Sequence, residues 1–152
     1  MEDTPAIAAA RRFLILVREG FPPSDQPLAR SLDELAVAYH EAPEGDPTED
    51  EVEAPEREDY RERYARLGER FPDYGYYSIA DWSDALNKEC LVADAIDDLA
   101  DIVGDLTEVV WRFDNIGPDD AHWYFKFLFE AHWGRHLRHL SLYLYGRIGI
   151  RD

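Results

Sequence analysis

The stretch Phe129-Glu130-Ala131-His132-Trp133-Gly134-Arg135-His136 concentrates two histidines, a tryptophan, an arginine and a glutamate within eight residues. His132 and His136 are four apart. On a helix that spacing brings both imidazoles onto one face, where they can share a cation or a set of carboxylates. Arg135 projects about 100° from each histidine, and Glu130 could act as an outer acceptor or a base. A second row of chemistry-bearing residues, Asp94, Asp98, Asp101, Asp105 and Glu108, precedes it. At helical spacing these five acids fall within an arc of about 80°. If the two rows face one another, Asp98 and Asp101 join His132 and His136 as a mixed nitrogen and oxygen set for a divalent transition metal. Asp105, Glu130, Trp133 and Arg135 would then line the same polar cluster. The bland alternative is a buried His/Asp network that fixes helix register and satisfies polar groups without an ion.

The elements that must hold these rows are helices. Leu99, Ile102, Leu106, Val109 and Phe113 repeat at three and four, so a helix is expected over Lys88 to Phe113. Phe125, Phe129, His132, His136, Leu140 and Tyr143 share a face of a second helix expected from about Asp120 to Tyr145. Asn115-Ile116-Gly117-Pro118 breaks the chain between them. Nearer the N-terminus, Thr4 before Pro5 is a helix start, and Ile7, Ala10, Phe13, Leu14 and Val17 continue it to Gly20. A second helix carries Leu32, Leu35, Ala36 and Tyr39, and a third carries Tyr60, Tyr64, Leu67 and Phe71. Asp81 or Ser83 is a candidate cap for the helix after it. No alternating pattern reads as a strand. The expected fold is all-α: one domain over 1–152, an antiparallel bundle of four to five helices.

Between the second and third helices, Glu41 to Asp59 holds ten acids, one base and three prolines. Like charge and proline predict an exposed acidic loop over 43–56. The whole chain carries 33 acids against 16 bases, a net charge of -17. That surface repels phosphate backbones and anionic lipid, so nucleic acid and membrane are not expected partners. No stretch approaches the ~20 apolar residues of a membrane span. The first residues lack a basic leader pattern, and a single cysteine, Cys90, precludes an internal disulfide. A cytoplasmic location is the expectation.

The segments Asp97-Asp98-Leu99-Ala100-Asp101-Ile102-Val103-Gly104-Asp105-Leu106 and Phe129 to His136 resemble a bacterial family of small helical proteins of unknown function. Its members carry D-D-L-A-D-I-Y-x-D-L and F-x-x-H-W-G-x-H segments, preceded by an aromatic run like Tyr74 to Tyr77. Val103 stands where that pattern has tyrosine. The resemblance implies a helical fold and a bacterial source, and brings no activity.

Standard phosphate cradles and the G-x-S-x-G nucleophile elbow are absent from the sequence. Two readings of function follow. One is a non-enzymatic binding or interaction module for a protein or small molecule, with the His/Asp cluster structural. The other is a bundle that binds a metal or a small ligand, extending to a metal-dependent hydrolase.

Overall fold

The computed structural model of the chain describes residues 1–53 and 56–149. Its order is α1 (Pro5–Arg18), α2 (Asp25–Glu41), α3 (Tyr60–Arg70), β1 (Tyr76–Ile79), β2 (Leu91–Asp94), α4 (Ala95–Asn115), α5 (Pro118–Leu128) and α6 (Gly134–Ile148). A five-residue π-helical turn, Phe129–Trp133, joins α5 to α6. The last three segments therefore form one continuous helical rod, and the described residues make a bundle of five rods with a small hairpin. No helix among the described residues is long and apolar enough to cross a membrane.

The caps explain where the helices begin. Thr4 accepts from the Ile7 amide and Pro5 takes the first helical position, where its missing N–H costs nothing. Asp59 accepts from Arg61, and Asp94 from Ile96, so each caps its helix with a carboxylate at the positive end of the dipole. Helix α4 is the hub, packing against α1, α3, α5, α6 and the π turn. Its Leu99, Ile102, Leu106 and Val109 are fully buried, together with Ile7, Phe13 and Val17 of α1 and Leu28, Leu32 and Leu35 of α2. Removing that apolar surface from water is the main term holding the bundle together.

Three expectations are corrected. The helix expected from Lys88 begins only at Ala95, because residues 91–94 are a strand. Tyr76 pairs with Asp94, Tyr77 with Ala93, Ser78 with Val92 and Ile79 with Leu91 in an antiparallel ribbon. Neither Asp81 nor Ser83 caps a helix. Asp81 accepts from the Ser83 amide, Asp84 from Leu86 and Asn87 from Glu89, each two residues on. These local bonds hold turns and compete with a helical start. The last helix is also not uniform. It starts at Pro118 and passes through the π turn, which the regular 3.6-residue wheel does not anticipate.

The acidic loop is exposed at residues 51–53, and Ala54 and Pro55 lie outside the described residues. Its first half is pinned. The Asp46 amide donates to the Asp119 carbonyl at 3.0 Å, and the Thr48 amide to Asp120 Oδ1 at 2.9 Å. Gly45 sits at φ +67°, where a Cβ would lie 2.2 Å from the Asp119 carbonyl, so only glycine fits. Like charge along the loop thus does not prevent its backbone from docking on the start of α5.

Candidate functional site

Helix α4 presents Asp98, Asp101 and Asp105 on the ridge that faces the π turn and the first turn of α6. His132 lies in the π turn and His136 one turn later. The turn itself depends on Gly134, whose amide donates to the Phe129 carbonyl. A Cβ there would stand 2.4 Å from that carbonyl and 2.9 Å from the Phe129 ring. The glycine of the His-Trp-Gly-x-His segment is therefore a steric requirement of the wider turn. Turns of this kind recur at functional sites.

Each imidazole sits between two carboxylates. His136 Nδ1 is 2.7 Å from Asp98 Oδ1, and its Nε2 is 3.0 Å from Asp101 Oδ2. His132 Nδ1 is 2.6 Å from Asp105 Oδ2, and its Nε2 is 3.6 Å from the same Asp101 oxygen. The two rings meet edge to face. Asp98 and Asp105 have side chains only 3% exposed, whereas that of His132 is 41% exposed. The cluster is thus closed on the side of its two outer carboxylates and open to solvent at His132. An ionised carboxylate only accepts, so His136 donates from Nδ1 to Asp98 and from Nε2 to Asp101, His132 donates from Nδ1 to Asp105, and both Nε2 atoms aim at Asp101.

The electrostatics follow from this crowding. Burial works against charge on His136, but the bonds to Asp101 and Asp98 outweigh it and lift the imidazole to about 9. Burial also pushes Asp101 up, yet His136 and His132 hold it below the ordinary carboxylate range. For Asp105 burial prevails over His132 and Arg57, and its pKa is raised. Tyr77 of β1 donates to Asp98 Oδ2, and burial together with that bond raises the phenol. The hairpin therefore supports the carboxylate that holds His136.

Two arginines that no sequence motif singled out complete the surroundings. Arg57 bonds Asp105 and Glu108 from the end of the acidic loop. Arg63 of α3 is buried and donates from Nε to the Ala100 carbonyl at 2.7 Å. It packs against Gly104, where a Cβ would come within 2.8 Å of its guanidinium. The one available signal is a glycine inside an otherwise strong helix, matched by an arginine on a helix poor in apolar residues.

Of the residues expected in the cluster, the structure brings together Asp98, Asp101, Asp105, His132 and His136. Trp133 is fully buried in the apolar core, with its indole N–H toward the Phe125 carbonyl at 3.3 Å. Glu130 accepts from Tyr39 at 2.8 Å, and Arg135 is exposed. Asp101, His132 and His136 offer ligand atoms within 4.8 Å of one another, as do Asp97, Asp98 and His136.

The fold is similar to the crystal structure of protein BF1032 from Bacteroides fragilis, with a TM-score of 0.75 at 16% sequence identity, over 97% of this chain and 92% of that one. At that identity the likeness concerns the fold alone. No curated protein matches the sequence. The family model for a domain of unknown function, DUF5063, matches residues 28–145, a span that runs from the first turn of α2 through the hairpin and both ridges into the last turn of α6, and the chain belongs to that family.

Proposed function

We propose that the protein is a binding module that holds one divalent transition metal on His132 Nε2, His136 Nε2 and Asp101, with Asp98 and Asp105 as the outer carboxylates. The observation that carries this reading is the convergence of both Nε2 atoms on one Asp101 oxygen, at 3.0 and 3.6 Å, while each Nδ1 is held by a buried aspartate. A metal bonded at about 2.0–2.2 Å brings neighbouring ligand atoms to about 3.0–3.5 Å. Carboxylates on the far nitrogen of ligating histidines fix the tautomer and raise ligand basicity. Two nitrogens and one oxygen suit zinc, iron, manganese or nickel. The exposed side of His132 would let water reach a bound metal, the layout on which hydrolysis would also depend.

One observation favours a purely structural network. The raised pKa of His136 describes an imidazolium that satisfies Asp98 and Asp101 by itself. Calorimetric titration of chelator-treated protein with zinc separates the two. The metal reading expects one equivalent bound, lost in Asp101→Ala and His136→Ala, and a melting temperature that rises with zinc. No uptake, with melting unchanged by chelator, overturns it and leaves the network.

A further inference from the structure

The β1–β2 hairpin projects apolar side chains into water. Trp82 and Leu86, on the loop joining the strands, are 92% and 90% exposed. Tyr76 and Val92 are also exposed, and the pairing of Tyr76 with Asp94 and of Ser78 with Val92 puts them on one face of the ribbon. The opposite face is used internally, since Tyr77 reaches Asp98 and stacks near Tyr143. Each strand has one neighbour among the described residues, so each keeps an outer edge without a strand partner. Exposed apolar side chains beside strand edges that lack a strand partner are the features by which interaction sites are recognised.

Its charge selects the occupant. The hairpin segment carries Asp81, Asp84, Glu89 and Asp94 against Lys88 alone. A second copy of this chain would bring another net charge of -17 to an acidic surface, and like charge opposes that pairing. Anionic lipid and nucleic acid are opposed in the same way. We infer that the outer face and tip of the hairpin dock a basic, extended polypeptide segment that alternates cationic and apolar side chains. Its backbone would add to a ribbon edge, its apolar residues would cover Trp82, Leu86 and Val92, and its cations would face Asp81, Asp84 and Glu89. Trp82, Leu86, Val92 and Tyr76 lie outside the imidazole cluster, and the ribbon meets that cluster through Tyr77 on its other face.

The test uses the full chain and a fluorescent synthetic peptide alternating lysine with valine, read by anisotropy, with the glutamate-for-lysine peptide as control. The lysine peptide binds, more weakly as salt rises, and the glutamate peptide does not. Trp82→Ser/Leu86→Ser, altered only at exposed positions and checked by circular dichroism, weakens binding roughly tenfold or more. Equal binding by the double variant overturns the assignment, because the peptide then senses only bulk charge. So does absence of binding, a concentration-dependent dimer in sedimentation that the double variant abolishes, or a blue shift of Trp82 emission on phosphatidylcholine vesicles, judged against Trp82→Phe.

Discussion

Asp98 on α4 holds His136 on α6 by a 2.7 Å contact between Oδ1 and Nδ1, while its second oxygen accepts from Tyr77 on the hairpin. One buried carboxylate thus ties three elements to the orientation of a single imidazole. Its counterpart, Asp105, does the same for His132 with Arg57 on its other side.

Asp98→Asn retains an acceptor for Nδ1 but removes the charge that makes the ring a better donor to a metal. Zinc affinity should fall about 10–100-fold, with most of the helix content kept. Asp105→Asn should behave alike through His132. Titration calorimetry and far-ultraviolet circular dichroism on the same samples check both halves of the expectation. Unchanged affinity in both variants would show that neither carboxylate tunes a ligand.

Much of this arrangement is legible in the residues and their spacing. The three-and-four repeat of Leu99, Ile102, Leu106 and Val109 locates the central helix, and the four-residue interval places His132 and His136 on one ridge. The remainder is decided by local chemistry that periodicity does not register. Asx turns at Asp81, Asp84 and Asn87 replace a helical start with a hairpin loop. Gly134 admits an extra residue into the last rod. Arg63 and Gly104 are complementary only in space, since they lie on different helices well apart in the chain.

The metal-free protein should lose stability in alkali. His136 is lifted to about 9 from an ordinary 6.5. A group raised on folding contributes stability that is fully present below its unfolded pKa and disappears as pH rises through the folded value. The window therefore runs from about 6.5 to about 9, and the contribution is at most about 3 kcal/mol. Urea denaturation in chelator across this range should show the decline, and His136→Gln should flatten it. A level profile in the wild-type chain would mean that the folded imidazole stays neutral.

Gly134→Ala tests the π turn. The added methyl would stand 2.4 Å from the Phe129 carbonyl and must push the backbone toward a regular helix. That change carries His132 around the axis relative to His136. A loss of about 1–3 kcal/mol is expected, the usual cost of overpacking. Zinc uptake should fall further than the stability loss accounts for, which comparison with an equally destabilised core variant, Leu140→Val, would reveal.

Asp120 is the anchor that keeps the start of the acidic loop on α5. Its side chain is buried and accepts from the Thr48 amide at 2.9 Å and from Arg112 at 3.1 Å, while Arg112 also lies over the Tyr124 ring. Asp120→Ala leaves a poorly exposed guanidinium without its carboxylate and frees the Thr48 amide, at a cost of about 3 kcal/mol. Asp120→Asn keeps an acceptor for Thr48 and should cost less. Hydrogen exchange at Thr48 should accelerate strongly in the alanine variant and slightly in the asparagine variant. The Asp46 amide, bonded to the Asp119 carbonyl rather than to this side chain, should stay protected longer. Equal exchange at both amides in all three proteins would mean that the carboxylate does not hold the loop, and that Gly45 against α5 is sufficient.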